Sequence, residues 1–195
     1  NKISKAAIFL DRDGTINKQV GHLYDQNAFE LIKNSGKAIS MINEAGILSI
    51  VITNQPVIAR GELSEDGLAE IHNKMDTLLG RVGAYIDRLY YCPHHPDSGF
   101  VGEIKELKFD CNCRKPKIGL IDQAKNDLNI DLNKSWLIGD SYRDIAAAKK
   151  AGLRSVLVLT GESNNSENLN IEPDFVAENL YFAVRLIIEE LANDY

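Results

Sequence analysis

Asp11 and Asp13 stand one residue apart in Asp11-Arg12-Asp13-Gly14-Thr15, directly after the apolar run Ala6 to Leu10. Two carboxylates this close repel each other at neutral pH unless a cation or a shared proton intervenes, and Gly14 permits an unusual backbone turn beside them. The pair therefore asks for a metal. If the apolar run is a buried strand, the acids are delivered to its carboxyl end, where open α/β sheets do their chemistry. Thr53-Asn54-Gln55 and the acids Asp140 and Asp144 follow later apolar runs in the same way.

These groups meet only if the runs between them are strands of one sheet. Ala38, Ile39, Met41, Ile42 and Ala45 recur at helical spacing, with Gly46 placed to end that helix, and Ile47 to Thr53 reads as a second buried strand. Ser64 is a plausible cap for a helix burying Leu68, Ile71, Met75, Leu78 and Leu79, and Ile86 to Tyr91 reads as a third strand. From Cys92 to Lys117 the composition turns to Cys, His, Pro, Gly and charge, an excursion that needs a staple of its own. Periodicity then returns: a helix carrying Leu120, Ile121, Ala124 and Leu128, a strand Trp136 to Gly139, a helix from Tyr142 to Ala151 ended by Gly152, and a strand Ser155 to Thr160. A polar loop, Gly161 to Glu172, precedes a last helix bearing Leu180, Ala183, Val184, Ile187, Ile188 and Leu191. Strands alternating with helices imply parallel pairing and helices on both faces. The expected fold is an α/β three-layer sandwich with a mainly parallel Rossmann-like sheet in the order 3-2-1-4-5, which brings the polar clusters to one rim.

With 195 residues and 44% hydrophobic composition, the chain can bury one substantial core, so residues 1–195 are expected to be a single domain. A net charge of -6 argues against nucleic-acid and anionic-membrane partners, leaving local basic sites for a phosphorylated metabolite. No apolar stretch reaches membrane-spanning length, and Asn1 to Lys5 lack the pattern of a signal peptide, so a soluble, cytoplasmic chain is expected. The missing initiator Met leaves processing, trimming and excision from a longer chain open. Three cysteines, two of them the near neighbours Cys111 and Cys113, fit a metal site or reduced thiols better than a disulfide scaffold.

The apolar strand with Asp11 to Thr15, then Thr53, then Arg114-Lys115, then Gly139 to Asp144 resemble, in order, the four motifs of the haloacid dehalogenase superfamily of phosphatases. Ile52 to Gln55, Ile58 to Gly61, Cys92 to Pro96 and Cys111 to Pro116 are similar, more narrowly, to the D-glycero-D-manno-heptose 1,7-bisphosphate phosphatases, with histidinol-phosphate phosphatases close by. The resemblance implies a minimal cap and removal of the 7-phosphate of a heptose bisphosphate. It also implies catalytic magnesium on Asp11, the backbone carbonyl of Asp13, and Asp140. The expected partner is a small phosphorylated sugar or metabolite, met by a monomer.

Each residue then has a chemical task. Asp11 attacks phosphorus to give an aspartyl phosphate, and Asp13 protonates the leaving alkoxide and later deprotonates water. Thr53, the Asn54 N–H and Lys115 bind the transferring oxygens, while Arg114 offers a planar fork to a second phosphate or to sugar oxygens. Asp144 supports, as a helix-terminal carboxylate, a metal-shell group or an orienter of Lys115. Arg12, Gly21, His22, Gln55 and Arg60 complete the expected substrate contacts, and Lys18, Arg60, Arg114 and Lys117 are candidates for a remote anion site.

Cys92-x-His94, sixteen residues, then Cys111-x-Cys113 supplies three sulfurs and one nitrogen, a closed tetrahedral set suited to structural Zn2+ within a loop spanning 92–117. His95 competes for the nitrogen position; the resemblance selects His94. Two departures from the heptose pattern flank the substrate. Lys18 to Leu23 replaces a common Asp-His-Gly-Tyr-Val, and Pro56-Val57 stands where Ser-Gly is common, which removes one N–H donor. Rival readings are a histidinol-phosphate phosphatase, a polynucleotide-end phosphatase, which the acidic balance disfavours, and a non-enzymatic zinc-stapled interaction domain.

Overall fold

The computed structural model describes residues 3–162 and 170–193. Its elements run β1 (Ala7–Leu10), α1 (Ser35–Glu44), β2 (Leu48–Asn54), α2 (Glu65–Gly80), β3 (Arg88–Cys92), α3 (Gly119–Leu128), β4 (Trp136–Gly139), α4 (Tyr142–Ala151), β5 (Arg154–Val158), β6 (Phe175–Ala177) and α5 (Leu180–Asn193). Neighbouring strands of the sheet all pair in parallel, and the sheet order is β3-β2-β1-β4-β5-β6. The expected order is therefore present and extended by one strand.

Alternation along the strands divides the core into two layers. Ile8, Leu10, Val51, Ile138 and Val156 pack with Ile39 and Ile42 of α1, Ile71, Met75 and Leu79 of α2, and Val184 and Ile187 of α5. Ala7, Phe9, Ile50, Ile52 and Leu137 face the other way, against Leu120, Ile121 and Ala124 of α3 and Ala147 and Ala148 of α4. Successive residues of a central strand thus feed opposite cores, which is why β1 has no polar side chain until the chain leaves the sheet at Asp11. Ser64 caps α2 by accepting from Gly67 N at 3.0 Å, and α4 closes on Gly152 at φ 75°.

β3 lies later than expected, ending at Cys92 rather than Tyr91. Its register runs from Ile50↔Arg88 to Asn54↔Cys92, so pairing with the full length of β2 draws the first cysteine into the sheet. β6 was not expected: three residues long and with one half-exposed side chain, it carries no alternation that could be read. Both edge strands are entered in the same way. Asp87 accepts from Ser49 N at 2.9 Å and Asp174 from Ser155 N at 2.7 Å, each holding the chain beside the start of the neighbouring strand. Most of the expected polar loop from Gly161 to Glu172 lies outside the described residues. Among the described residues, no helix is long and apolar enough to cross a membrane.

Candidate active site

β1, β2 and β4 end side by side, and the residue that follows or closes each one faces a pocket of about 340 Å3. Asp11 leaves β1 with its N–H still bonded to Ile138 O at 3.0 Å, which fixes it against β4. Thr53 is the penultimate residue of β2, and Asp140 follows Gly139 at the end of β4. Carboxylate oxygens of Asp11, Asp140 and Asp144 lie within 4.8 Å of one another.

Lys115 reaches this floor from the far end of the cysteine loop. Its Nζ donates to Asp11 Oδ1 at 2.8 Å, Asp144 Oδ1 at 2.7 Å and Ile52 O at 2.8 Å, so all three ammonium protons are used. Its backbone is clamped by the Asn54 side chain, which accepts from Lys115 N at 2.9 Å and donates to Lys115 O at 3.1 Å. Asn54, expected to act through its own N–H, therefore has a second task as the splint that aims Lys115. Asp144 combines two of its three expected roles: Oδ1 holds Lys115 while Oδ2 accepts from Ser141 N and Oγ, closing a capping box on α4. A Cβ on Gly139 would collide with the Asp144 carboxyl, so only glycine lets β4 pass this close.

Three carboxylates around one ammonium leave an excess of negative charge. Burial, and then the neighbouring Asp144, push Asp11 well above the ordinary carboxylate range, and the same two causes raise Asp140. Lys115 is raised despite burial, because Asp11 and Asp144 outweigh the loss of water. An all-oxygen cluster with unbalanced negative charge, open to a polar pocket, fits Mg2+. Asp11 and Asp140 are the side chains that would hold it, with Asp144 committed to Lys115 and to its helix. Gly14 turns at φ 79° with its backbone against Asp140, where a Cβ would strike Oδ2.

Asp13 is placed differently from its neighbour. Its carboxylate accepts from Arg12 Nε at 3.1 Å, from the same Arg12 terminal nitrogen on both oxygens at 3.0 Å, from Asn17 Nδ2 at 2.9 Å and from Gln55 Nε2 at 3.0 Å. Burial works to raise its pKa, but Arg12 and then the Asn17 and Gln55 hydrogen bonds hold it below the usual range. The expected freely swinging acid is thus docked in its ionised form. Arg12 is corrected with it: the side chain is wholly buried and turned to Asp13 and His72, behind the pocket wall rather than on it. Gln55 lines the pocket but spends its amide on Asp13 and on Thr53 Oγ1, at 2.9 Å.

Gly21, His22, Arg60 and Arg114 all line the pocket. His22 is held between Arg60, which bonds Nε2, and Glu62 Oε2, at 2.8 Å from Nδ1. Burial, then the positive charges of Arg143 and Arg60 against some relief from cysteine, lowers the Arg114 pKa, so these guanidiniums share one region. Lys18 and Lys117 do not join them: Lys18 pairs with Glu30 at 2.5 Å, and Lys117 binds Asp110 at 2.5 Å and Cys111 O at 2.8 Å. Arg143, Ser141 and Glu162 are pocket residues that sequence reasoning missed; Arg143 lay inside the fourth motif and pairs with Glu162 at 2.5 Å.

Cys92, His94, Cys111 and Cys113 converge beside this wall. Sulfur separations are 3.5 Å from Cys111 to each of the other two and 2.8 Å between Cys92 and Cys113, and His94 Nδ1 is 3.2 Å from Cys113 Sγ. His95 instead accepts from Asp97 N at 3.2 Å, away from the sulfurs. Three sulfurs and one nitrogen gathered within 4.8 Å of one another are the donor set of a closed Zn2+ site.

A HAD-hydrolase-like family model matches residues 112–183. The D-glycero-beta-D-manno-heptose-1,7-bisphosphate 7-phosphatase of Haemophilus ducreyi is 41% identical over 167 residues, covering 85% of this chain and 89% of its own. The chain belongs to the haloacid dehalogenase superfamily of phosphatases. The enzyme of the same description from Pasteurella multocida is 39% identical over 184 residues, covering 94% of this phosphatase and 97% of its own chain. Among solved structures, the D,D-heptose 1,7-bisphosphate phosphatase of B. bronchiseptica, complexed with magnesium and phosphate, superposes with a TM-score of 0.84 at 30% identity, covering 95% of this chain and 99% of that one.

Proposed function

We propose that this phosphatase removes the 7-phosphate of D-glycero-D-manno-heptose 1,7-bisphosphate, with Mg2+ at Asp11 and Asp140 and through an aspartyl phosphate on Asp11. One observation carries the reading: a single pocket has the Asp11–Lys115–Asp144 array on its floor and Arg60, Arg114 and Arg143 on its walls, a division that suits a substrate phosphorylated at two places. The relatives' names point to the same substrate.

Asp11 and Asp140 would hold Mg2+, which when bound would supply positive charge against the anionic phosphoryl oxygens and these carboxylates. Asp11 attacks phosphorus through the oxygen not bound by Lys115, whose ammonium keeps the carboxylate pointed into the pocket. Thr53 Oγ1 accepts from Gln55, so its own proton is free to donate to a phosphoryl oxygen. Off its dock on Arg12, Asp13 loses what keeps it ionised, takes up a proton from solvent, gives it to the leaving alkoxide as the bond to phosphorus breaks, then takes one from water as the aspartyl phosphate is cleaved. The test is initial-rate measurement with Mg2+ on both anomers of the heptose bisphosphate, the corresponding monophosphates and histidinol phosphate. The β anomer of the bisphosphate is expected to have the highest kcat/KM; preference for histidinol phosphate, or indifference to the second phosphate, would overturn the assignment.

Zn2+ on the four loop ligands has no open position, so its task is to hold Arg114 and Lys115. Removing it with a chelator is expected to raise KM at least about tenfold, by loosening the pocket wall, and to lower the melting temperature. Unchanged kinetics in protein verified as zinc-free would contradict that role.

A further inference from the structure

We propose that His72, which lines no part of the pocket, is a positioning residue for Asp13 and acts through Arg12. The inference rests on the proposed role of Asp13 as acid and base. Arg12 is wholly buried. Its Nε and one terminal nitrogen are spent on Asp13, and the other terminal nitrogen lies 3.1 Å from His72 Nε2. Guanidinium has donors only, so Nε2 is the acceptor, which makes His72 a neutral imidazole with its proton on Nδ1. The surroundings favour that form: burial, then the charge on Arg12, bring the His72 pKa down to about 4.

His72 falls on the stripe of α2 that includes Leu68, Met75 and Leu79, and its ring packs 6.3 Å from that of Tyr91. Helix and ring contact together fix where Nε2 points. The consequence appears when Asp13 moves. To reach substrate, its carboxyl must release Arg12, leaving a buried cation whose nearest anion has gone. His72 keeps one donor of the guanidinium bound, so its plane stays in place and the carboxyl returns to a fixed dock. A carboxylate at position 72 would compete with Asp13 for the cation; an aliphatic side chain would leave the donor empty.

His72→Leu is expected to lower kcat about tenfold, because a dock displaced by a fraction of an ångström misplaces the acid, with KM unchanged. His72→Gln, whose amide oxygen can accept the same hydrogen bond, should recover most of kcat. Long-range 1H–15N spectra of the wild type at neutral pH should show Nε2 unprotonated and Nδ1 protonated. Unchanged kcat in the leucine variant, a loss confined to KM, a glutamine variant as impaired as leucine, or a proton on Nε2 would each overturn the proposal. If the leucine variant does not fold, the wild-type spectrum and the glutamine variant decide. The spectrum needs no turnover, so it tests the inference even where a failure of wild-type catalysis would strike the functional reading.

Discussion

Asp11→Asn is expected to cut turnover by at least about a thousandfold while leaving the ion-free fold as stable as the wild type or more so. The two halves of the result have one cause. In the ion-free chain Asp11 and Asp140 are both raised, by burial first and by Asp144 next. A carboxyl raised in the folded state binds more protons there than in the unfolded chain. The stability it contributes is complete below the ordinary carboxylate range and is lost as pH rises through the raised value. At neutral pH the cluster therefore opposes folding until a cation arrives. Asparagine removes one of the opposing charges, and its amide oxygen can still accept from Lys115. It cannot attack phosphorus, and it is a poor ligand for a hard divalent ion. Thermal unfolding with and without Mg2+ checks the pair of claims: the ion should raise Tm in the wild type and have little effect in the variant. An Asp11→Asn protein that retains appreciable turnover would remove Asp11 as the nucleophile.

The layers follow from continuous apolar runs alternating with helical stripes, and Asp11, Thr53 and Asp140 were legible because each stands where such a run stops. The cysteine loop was legible because Cys92, His94, Cys111 and Cys113 carry their own spacing. What stayed hidden depends on contacts between distant parts of the chain. Nothing in Asn54 announces that its side chain will bracket the backbone of Lys115, 61 positions away. Arg12, between Asp11 and Asp13, reads in sequence as a substrate contact because sequence proximity does not say that the chain leaves β1 by turning it inward. β6 is too short to show a period, yet Asp174 beside Phe175 repeats the pattern of Asp87 before β3, a signal that the comparison of the two edges makes readable.

Lys115→Met carries the second large effect, and it damages both fold and chemistry. Lys115 is 3% exposed, and its ammonium donates to both Asp11 and Asp144. Methionine matches the length of the stem but leaves those two buried carboxylates facing each other. Removing one partner of a buried ionic array costs about 3–5 kcal/mol, since what remains is uncompensated charge. The ion-free variant should therefore unfold at a distinctly lower temperature, and Mg2+ should recover part of the loss by supplying charge near Asp11. It should not recover Asp144, whose Oδ1 loses its ammonium while Oδ2 stays in the capping box at the start of α4. The variant is expected to lose about a hundredfold or more in kcat even with Mg2+ present, because Asp11 is no longer held at its attacking angle and a cation near the transferring oxygens is gone. Asn54→Ala separates aim from charge: it keeps the ammonium but removes the clamp on its backbone, so its loss in kcat should be smaller, with little change in Mg2+ response. Equal losses in the two variants would mean that placement alone, and not the ammonium charge, is what Lys115 contributes.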